Sequence, residues 1–142
     1  MENNLQKQAM TFILFNKSGQ VLIQLRDDGN GKIINYPNMW CFPGGGVQKG
    51  EEPIDAAVRE IKEELDLDVE RGECKFLTTY THDEYIDYVY TIERSLNQKL
   101  PLKEGAAIKI VDIGDVKRIP LAFEQEKILK EVEDFIRGFT KV

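Results

Sequence analysis

The segment that most constrains the fold is residues 53–65, PIDAAVREIKEEL, which has the pattern of an amphipathic helix. Its apolar positions are Ile54, Val58, Ile61 and Leu65. They fall on one stripe at helical spacing. A single apolar stripe has to be buried against another layer, so this pattern predicts a helix that packs on a sheet.

Three carboxylates crowd the face beside that stripe. At about 100° per residue, Glu64 lies about 40° to one side of Glu60 and Glu63 about 60° to the other. Like charges at this spacing repel. Taken alone, the segment is typical of a solvated, charged helix face. The alternative is that the carboxylates bind a cation, and oxygen-only clusters suit Mg²⁺ or Mn²⁺.

The charge balance limits the partners of the chain. Its 142 residues include 19 Lys plus Arg against 25 Asp plus Glu, a net charge of −6. Because nucleic-acid-binding surfaces are basic, we expect no extended nucleic acid binding. The chain has no apolar run of membrane-spanning length and a polar beginning, which favours a cytoplasmic protein with no membrane partner. The length fits one domain, residues 1–142.

The two cysteines and the one histidine indicate little chemistry of their own. Cys41 and Cys74 do not have metal-site spacing, so we expect free, buried thiols. His82 is the only histidine, and any Ser–His–Asp or Cys–His mechanism would have to use it. We expect His82 to be structural or exposed.

Apolar segments on both sides of the helix predict a mixed sheet. The predicted strands are 8–16, 21–26, 39–42, 74–82, 84–94 and 106–113. Residues 8–26 and 74–94 are typical of hairpins, and 27–38 has the composition of a loop. A second amphipathic helix is predicted over 123–139. Its core positions are Ile128, Val132, Phe135 and Ile136. This order favours an α/β (α+β) fold.

The stretch 45–67, GGVQKGEEPIDAAVREIKEELDL, closely resembles the Nudix box. The matching positions are Gly45, Glu51, Arg59, Glu60, Ile61, Glu63, Glu64 and Leu67. From average residue usage, a chance match is on the order of one in a million. The resemblance implies a Nudix-type α/β/α sandwich with a mixed β-sheet. Asp66 stands where the box has glycine, so we expect a slightly strained left-handed helix end with catalysis retained.

The resemblance also implies roles for residues inside and beyond the box. Glu60, Glu63 and Glu64 would bind a divalent metal, to which the backbone carbonyl of Gly45 often adds a ligand in this family. Arg59 would pair with carboxylates, including that of Glu51, and orient them. Glu104 matches a further metal-associated or general-base glutamate of MutT-like members, and an exposed loop glutamate is the alternative.

Candidate substrate-binding residues lie outside the box. Arg26 ends a strand next to the predicted loop and suits a phosphate contact. Tyr36, Trp40, Phe42 and Phe123 are aromatic candidates for stacking on a base, although such residues are more often part of the core. MutT-like members have a base-contacting asparagine just before the last helix. Phe123 or its neighbour stands there, which weakens any claim for oxidised guanine nucleotides.

The expected function is metal-dependent hydrolysis of a nucleoside diphosphate linked to another group. A nucleoside triphosphate pyrophosphohydrolase is the first choice. Nucleotide sugars, dinucleoside polyphosphates and capped RNA ends stay open as substrates. A non-catalytic nucleotide sensor on the same fold is the alternative from another class, and an interaction protein with an acidic helix is a third. Homodimers are common among relatives, so a dimer is open as well.

Overall fold

The structure, a computed structural model, describes residues 7–96, 100 and 107–140, and a mixed β-sheet forms its centre. The strands are β1 Lys7–Phe15, β2 Gln20–Leu25, β3 Trp40–Cys41, β4 Gly44–Gly46, β5 Lys75–His82, β6 Tyr85–Glu93 and β7 Ala107–Asp112. The α-helices are α1 Pro53–Leu65 and α2 Leu129–Thr140, and short 3₁₀ segments cover Arg71–Glu73, Ile113–Arg118 and Ala122–Ile128. None of these helices is long and apolar enough to cross a membrane.

Strand β1 organises the sheet. It pairs in parallel with β6 over its whole length, from Lys7 opposite Tyr85 to Phe15 opposite Glu93. On its other side, β1 pairs with β4 near its beginning and with β2 at its end, both antiparallel. Strands β3 and β7 pair with β2, and β5 pairs with β6. The two predicted hairpins are therefore confirmed, as is the mixed sheet.

The core consists of two layers, one on each face of the sheet. Successive side chains of a strand point to opposite faces, so Phe12 and Leu14 pack under α1 while Ile13 and Phe15 pack under α2. Helix α1 adds Ile61 and Leu65 to the first layer, and both are fully buried. The predicted α/β/α sandwich is confirmed. Cys41 and Cys74 are free and buried, as predicted.

Two predicted elements need correction. The helix predicted over 123–139 begins only at Leu129, because Phe123 and Glu124 have left-handed φ angles of 59° and 55°. Contacts with the sheet override the helical pattern there, since the backbone oxygen of Phe123 accepts a hydrogen bond from the Tyr80 hydroxyl at 3.0 Å. Residues 44–46, which belong to none of the predicted strands, form β4. Glycine is rare in strands, so composition alone does not indicate one.

The helix α1 has the bounds that its sequence predicts. Pro53 occupies its first turn, where its missing N–H is not needed. Asp66 follows the last turn with φ 56° and ψ 35°, and its N–H donates to the Lys62 carbonyl. The expected left-handed helix end is therefore present without glycine.

Candidate active site

The carboxylates of α1 divide into two kinds. Glu60 and Glu64 are 9% and 4% exposed, so both lie inside the molecule. The side chain of Glu63 is 51% exposed and lies beside Arg59. Residues four apart share a helix face, and the face of Glu60 and Glu64 turns toward the glycine strand β4, which α1 contacts. The sequence predicts all three carboxylates on one face beside the apolar stripe, whereas the structure buries Glu60 and Glu64 and leaves Glu63 exposed.

Gly45 leaves the space that the Glu60 carboxylate occupies. Strand β4 pairs Gly45 with Met10. A Cβ atom built on Gly45 would lie 1.8 Å from Glu60 Oε2, whereas one on Gly46 meets nothing within 4 Å. A side chain at 45 would therefore displace the Glu60 carboxylate. This contact explains why a glycine spaced fifteen residues before Glu60 belongs to the same site.

Arg59 holds the carboxylates around it in place, as the resemblance implies. Its Nε donates to Glu51 Oε2 at 2.8 Å and its Nη2 to Glu51 Oε1 at 3.0 Å, a two-point contact. The same guanidinium lies 3.3 Å from Glu63 Oε1 and 3.6 Å from Glu60 Oε1. It also donates to the Gly46 carbonyl at 3.0 Å, which ties α1 to β4. The hydrogen bond from Arg59 lowers the pKa of Glu51 and keeps it ionised.

The possible metal donors around Glu60, Glu64 and the Gly45 backbone are oxygen atoms, the kind that Mg²⁺ and Mn²⁺ prefer. Glu60 and Glu64 are both buried, and the Glu60 carboxylate occupies the space beside the Gly45 backbone. The chemical type of these donors, oxygen atoms, therefore suits a small, hard cation. Within the described ranges, no three His, Cys, Asp or Glu side chains are grouped closely enough to bind one metal ion. Glu104 lies outside the described residues.

A pocket of about 260 Å³ extends from this corner. Gly45, Gly46 and Glu64 line one part of it, and Arg26 and Phe123 line another. The pocket therefore connects the carboxylate corner to a cationic and aromatic wall. We call the first part, together with the adjacent Arg59 and Glu60 of α1, the box end. The second part, together with the adjacent His82 and Tyr85, is the aromatic end.

The predicted substrate-binding residues differ in how they relate to the pocket. Arg26 lines it, and its guanidinium lies 4.8 Å from the centre of the Phe123 ring. Arg26 also donates to the carbonyls of Asn35 and Tyr36, which fixes residues 35 and 36 of the loop. Tyr36 is not among the described residues that line the pocket; it packs behind Phe123 with the ring centres 4.9 Å apart. Its hydroxyl donates to Asp83 at 2.7 Å.

The other two aromatic candidates are held by the core. Phe42 is 1% exposed and lines the pocket wall, and its backbone N–H and carbonyl both bind the Gln125 side chain. Trp40 lies outside the described pocket lining, with the Lys109 ammonium 5.6 Å from its ring centre. Gln125 is 1% exposed and was not among the predicted site residues. The only feature of the sequence that indicates its burial is a glutamine at an inward position of a helical pattern.

A buried polar network in the pocket wall also escapes the sequence analysis. Thr11 Oγ1 donates to Asp87 Oδ1 at 2.9 Å, and His82 Nε2 lies 2.8 Å from Asp87 Oδ2. Asp87 and His82 are 3% and 6% exposed. The sequence indicates this network only weakly, through Asp87 at an inward position of the strand pattern in 84–94. His82 has structural contacts, as expected.

A covalent cysteine mechanism is disfavoured in this pocket. Cys41 lines it, but burial raises the pKa of its thiol to about 12. The thiolate is the nucleophilic form, and at neutral pH almost none is present. His82 binds carboxylates through both ring nitrogens, which leaves it poorly placed as a base.

Comparisons with known proteins point to one family. The model of the NUDIX domain matches residues 5–132. An RNA pyrophosphohydrolase of Azorhizobium caulinodans is 41% identical over 54 residues, which are 38% of this chain and 32% of that protein. The chain thus spans about a third of the length of that curated relative.

Solved structures agree on the fold. A MutT structure, from work on the Aliivibrio salmonicida and Vibrio cholerae proteins, superposes with a TM-score of 0.74 at 23% identity, covering 92% of this chain and 99% of that one. The NUDIX domain of NrtR from Shewanella oneidensis, complexed with ADP ribose, gives 0.73 at 18% identity, covering 93% and 89%. At these identities the likeness concerns the fold alone.

Proposed function

We propose, from the finding that this chain belongs to the NUDIX domain family, that it is a metal-dependent hydrolase of a diphosphate bridge in a small nucleotide. The observation that carries this proposal is the pocket, whose lining includes the buried Glu64 carboxylate at the box end and a cation and an aromatic ring at the aromatic end. A nucleotide has the matching order of parts, with phosphates at one end and a base at the other.

At the box end, Glu60 and Glu64 would hold Mg²⁺ or Mn²⁺ together with the Gly45 backbone. When bound, the ion neutralises charge on the phosphate oxygens and lowers the pKa of a water molecule. Arg59 orients the carboxylates through its contacts with Glu51, Glu60 and Glu63. Water attacks one phosphorus of the bridge, the P–O bond to the leaving phosphate breaks, and the products are two phosphate compounds.

At the aromatic end, Phe123 would stack on the base and Arg26 would supply positive charge beside it. Tyr36 would act indirectly, through its packing against Phe123. The pocket volume of about 260 Å³ is near the lower limit of about 300 Å³ for small-molecule sites. This size favours a single nucleoside, so a nucleoside triphosphate, cleaved to a nucleoside monophosphate and pyrophosphate, is our first substrate class.

The second candidate is the 5′ end of RNA. The similarity to an RNA pyrophosphohydrolase over 54 residues favours it, and only the terminal nucleotide would need to enter the pocket. The net charge of −6 disfavours a long contact with the rest of the strand. Nucleotide sugars and dinucleoside polyphosphates fit the same chemistry, and a nucleotide sensor fits the same pocket without the reaction.

The test is a product analysis on one panel of substrates. The panel contains nucleoside triphosphates, nucleotide sugars, dinucleoside polyphosphates and a short 5′-triphosphate RNA, each with Mg²⁺ and with chelator. Mass analysis in ¹⁸O water shows which product takes up the oxygen and hence which phosphorus is attacked. We expect metal-dependent cleavage of at least one nucleotide. Tight nucleotide binding with no turnover of any compound would contradict the hydrolase and favour the sensor.

A further inference from the structure

We propose that protonated His82 is a positioning residue that fastens the loop 27–38 at the aromatic end of the pocket, by binding Asp83, which in turn binds Tyr36. The inference rests on the proposed function in taking the pocket as the substrate site. It adds a residue outside the Nudix box that controls substrate affinity.

Both ring nitrogens of His82 face carboxylates. Nε2 lies 2.8 Å from Asp87 Oδ2 and Nδ1 lies 3.2 Å from Asp83 Oδ2. An ionised carboxylate only accepts hydrogen bonds, and an imidazole donates through both nitrogens only when it is protonated. The geometry therefore requires the imidazolium form for both contacts to exist together.

The surroundings favour that form. Burial disfavours the charged ring, but the hydrogen bonds to Asp87 and Asp83 outweigh it and raise the pKa of His82 above 6.5. Asp83 stays ionised because the hydrogen bond from Tyr36, and then that from His82, lower its pKa. The network is therefore complete above the low pKa of Asp83 and below the raised pKa of His82.

Asp83 links the histidine to the loop. The Tyr36 hydroxyl donates to Asp83 Oδ2, the same oxygen that faces His82 Nδ1. The Tyr36 ring packs against Phe123, and His82 lies 5.6 Å from Phe123 between ring centres. The loop has a second attachment, from Arg26 to the carbonyls of residues 35 and 36. Only the attachment through Asp83 depends on the charge of His82.

The backbone at this end needs such attachments. Tyr36, Asp83, Glu84, Phe123 and Glu124 all have left-handed φ angles, between 48° and 72°. Residues other than glycine keep this conformation only where surrounding contacts hold them. Three separate segments bring these residues together around His82, so loss of one contact favours relaxation of the loop.

Deprotonation removes one of the two contacts. A neutral imidazole has a single N–H. We expect it to stay with Asp87, because that carboxylate is 3% exposed and lies closer, at 2.8 Å. Asp83 then loses its cationic partner, and the attachment of Tyr36 weakens as the pH rises through the pKa of His82.

No second imidazole faces the network, since His82 is the only histidine of the chain. The charged and phenolic groups around it are Arg26, Lys127, Glu124, Glu126, Tyr80 and Tyr85. Burial raises the pKa of Tyr80 further above its usual range. Carboxylates in general titrate near pH 4, and phenols, lysine and arginine near pH 10 or above. A transition in the range of an imidazole therefore reports His82.

The first test is a proton NMR titration. His82 is the only histidine, so its ring C2–H signal needs no assignment among others. We expect a midpoint above 6.5 in the wild type, lowered in Asp83→Asn and unchanged in Asp28→Asn. Asp28 is the matched control because it lies in the same loop, and within the described part of the chain its side chain accepts a hydrogen bond from the nearby Asn30 N–H, at 2.9 Å. A midpoint at or below 6.5, or one that Asp83→Asn leaves unmoved, overturns the proposal.

The second test measures the loop and the substrate affinity. Lys32 is exposed in the loop, so tryptic cleavage after it reports release. We expect several-fold faster cleavage in Asp83→Asn and His82→Gln than in Asp28→Asn. KM should rise about 3- to 10-fold in both variants with kcat nearly unchanged. In the wild type KM should rise with pH, and His82→Gln should remove that dependence. Equal cleavage rates and a KM that does not change overturn the proposal.

The two failures are distinguishable. The NMR titration and the proteolysis need no turnover, so they test the fastening even where no substrate is cleaved. If no substrate is hydrolysed but the NMR midpoint of His82 is raised and trypsin cleaves the variants faster, the proposed function is rejected. The role of His82 in holding the loop is then retained. Hydrolysis with no effect of either variant on KM or cleavage rejects the role of His82 and retains the function.

Discussion

The two ends of the pocket differ in how far apart in sequence their contacting residues are. At the box end, Arg59 contacts Glu63 four residues away, Glu51 eight residues away and the Gly46 carbonyl thirteen residues away. At the aromatic end, Tyr36 contacts Asp83 across 47 residues, and Thr11 contacts Asp87 across 76. One end is a local structure around a single helix, and the other is assembled from several segments.

This difference suggests that the box end carries out the reaction and that the aromatic end recognises the substrate. The box end lies on α1 and β4, whose residues are held by ion pairs and by close packing. The aromatic end combines the strand ends at His82 and Tyr85 with Arg26, directly after β2, and Phe123, in a 3₁₀ segment with an irregular backbone. Connecting segments are the parts of a fold that change most readily. We therefore expect changes at the box end to lower kcat and changes at the aromatic end to raise KM.

The largest effect is expected from Glu64→Gln. This change keeps the shape of a side chain that is 4% exposed at the box end, but it removes the charge that would hold the cation. We expect kcat to fall about 100- to 1000-fold, as for loss of one preorganised electrostatic group, with little change in KM. Steady-state kinetics on the substrate found in the panel measures both.

The matched control is Glu133→Gln. Glu133 lies on α2, outside the described pocket lining, and pairs with Arg137, whose Nη2 is 2.6 Å from Glu133 Oε2. It should leave kcat unchanged. A Glu64→Gln enzyme that keeps wild-type kcat would remove the box end from the chemistry.

The next largest effect separates two adjacent glycines. In Gly45→Ala the new methyl group would lie 1.8 Å from Glu60 Oε2, so the carboxylate has to move. Because a side-chain end can turn aside, we expect a loss of activity of about 10- to 100-fold, as for other changes that displace a metal ligand, with a small change in melting temperature.

Gly46→Ala is the control, since a methyl group there meets nothing within 4 Å. We expect nearly wild-type activity. Equal activities of the two alanine variants would show that the contact between Gly45 and Glu60 has no role in catalysis.

A smaller effect, on KM, is expected from Phe123→Leu at the aromatic end. Stacking of a base on an aromatic ring contributes about 1–3 kcal/mol, so KM should rise at least about 5-fold while kcat changes little. Phe139→Leu on α2 is the control, because Phe139 is 40% exposed and packs on Phe15 and Phe135. A fall in kcat with KM unchanged would reverse the assignment of the two ends.

The smallest effect is expected from Asp66→Gly. The left-handed φ of 56° favours glycine, while the ion pair between Asp66 and Lys62, 3.0 Å apart, is on the surface and contributes little. We expect a gain of about 0.5 kcal/mol in the free energy of unfolding and activity within about two-fold. Denaturant unfolding measures the gain. A large loss of activity would mean that Asp66 takes part in the site.

The box end could be predicted from the sequence because its contacts follow helical spacing. The pairing of Arg59 with Glu51 and the left-handed Asp66 were both expected, and both are present. The burial of Glu60 and Glu64 was not, because periodicity gives the angle around a helix and not which neighbouring strand covers it. Strand β4 covers this face of the helix. Because β4 consists of glycines, which are typical of loops, the sequence does not indicate a strand there.

The aromatic end could be predicted only in part. Arg26 and Phe123 were candidates and line the pocket, whereas Tyr36 supports Phe123 from behind. The network of Thr11, His82 and Asp87 depends on the parallel pairing of β1 with β6, which no local pattern indicates. The same long-range contacts fix Phe123 in a left-handed conformation and delay the start of α2.

The central claim is that the box end binds a divalent cation through Glu60 and Glu64. The most direct measurement is titration of the protein with Mn²⁺, following the signal of free Mn²⁺ by electron paramagnetic resonance, for the wild type, Glu64→Gln, Gly45→Ala and the control Gly46→Ala. We predict saturable binding by the wild type and Gly46→Ala and affinity at least about 10-fold weaker in the other two. Equal affinity in all four proteins would contradict the account.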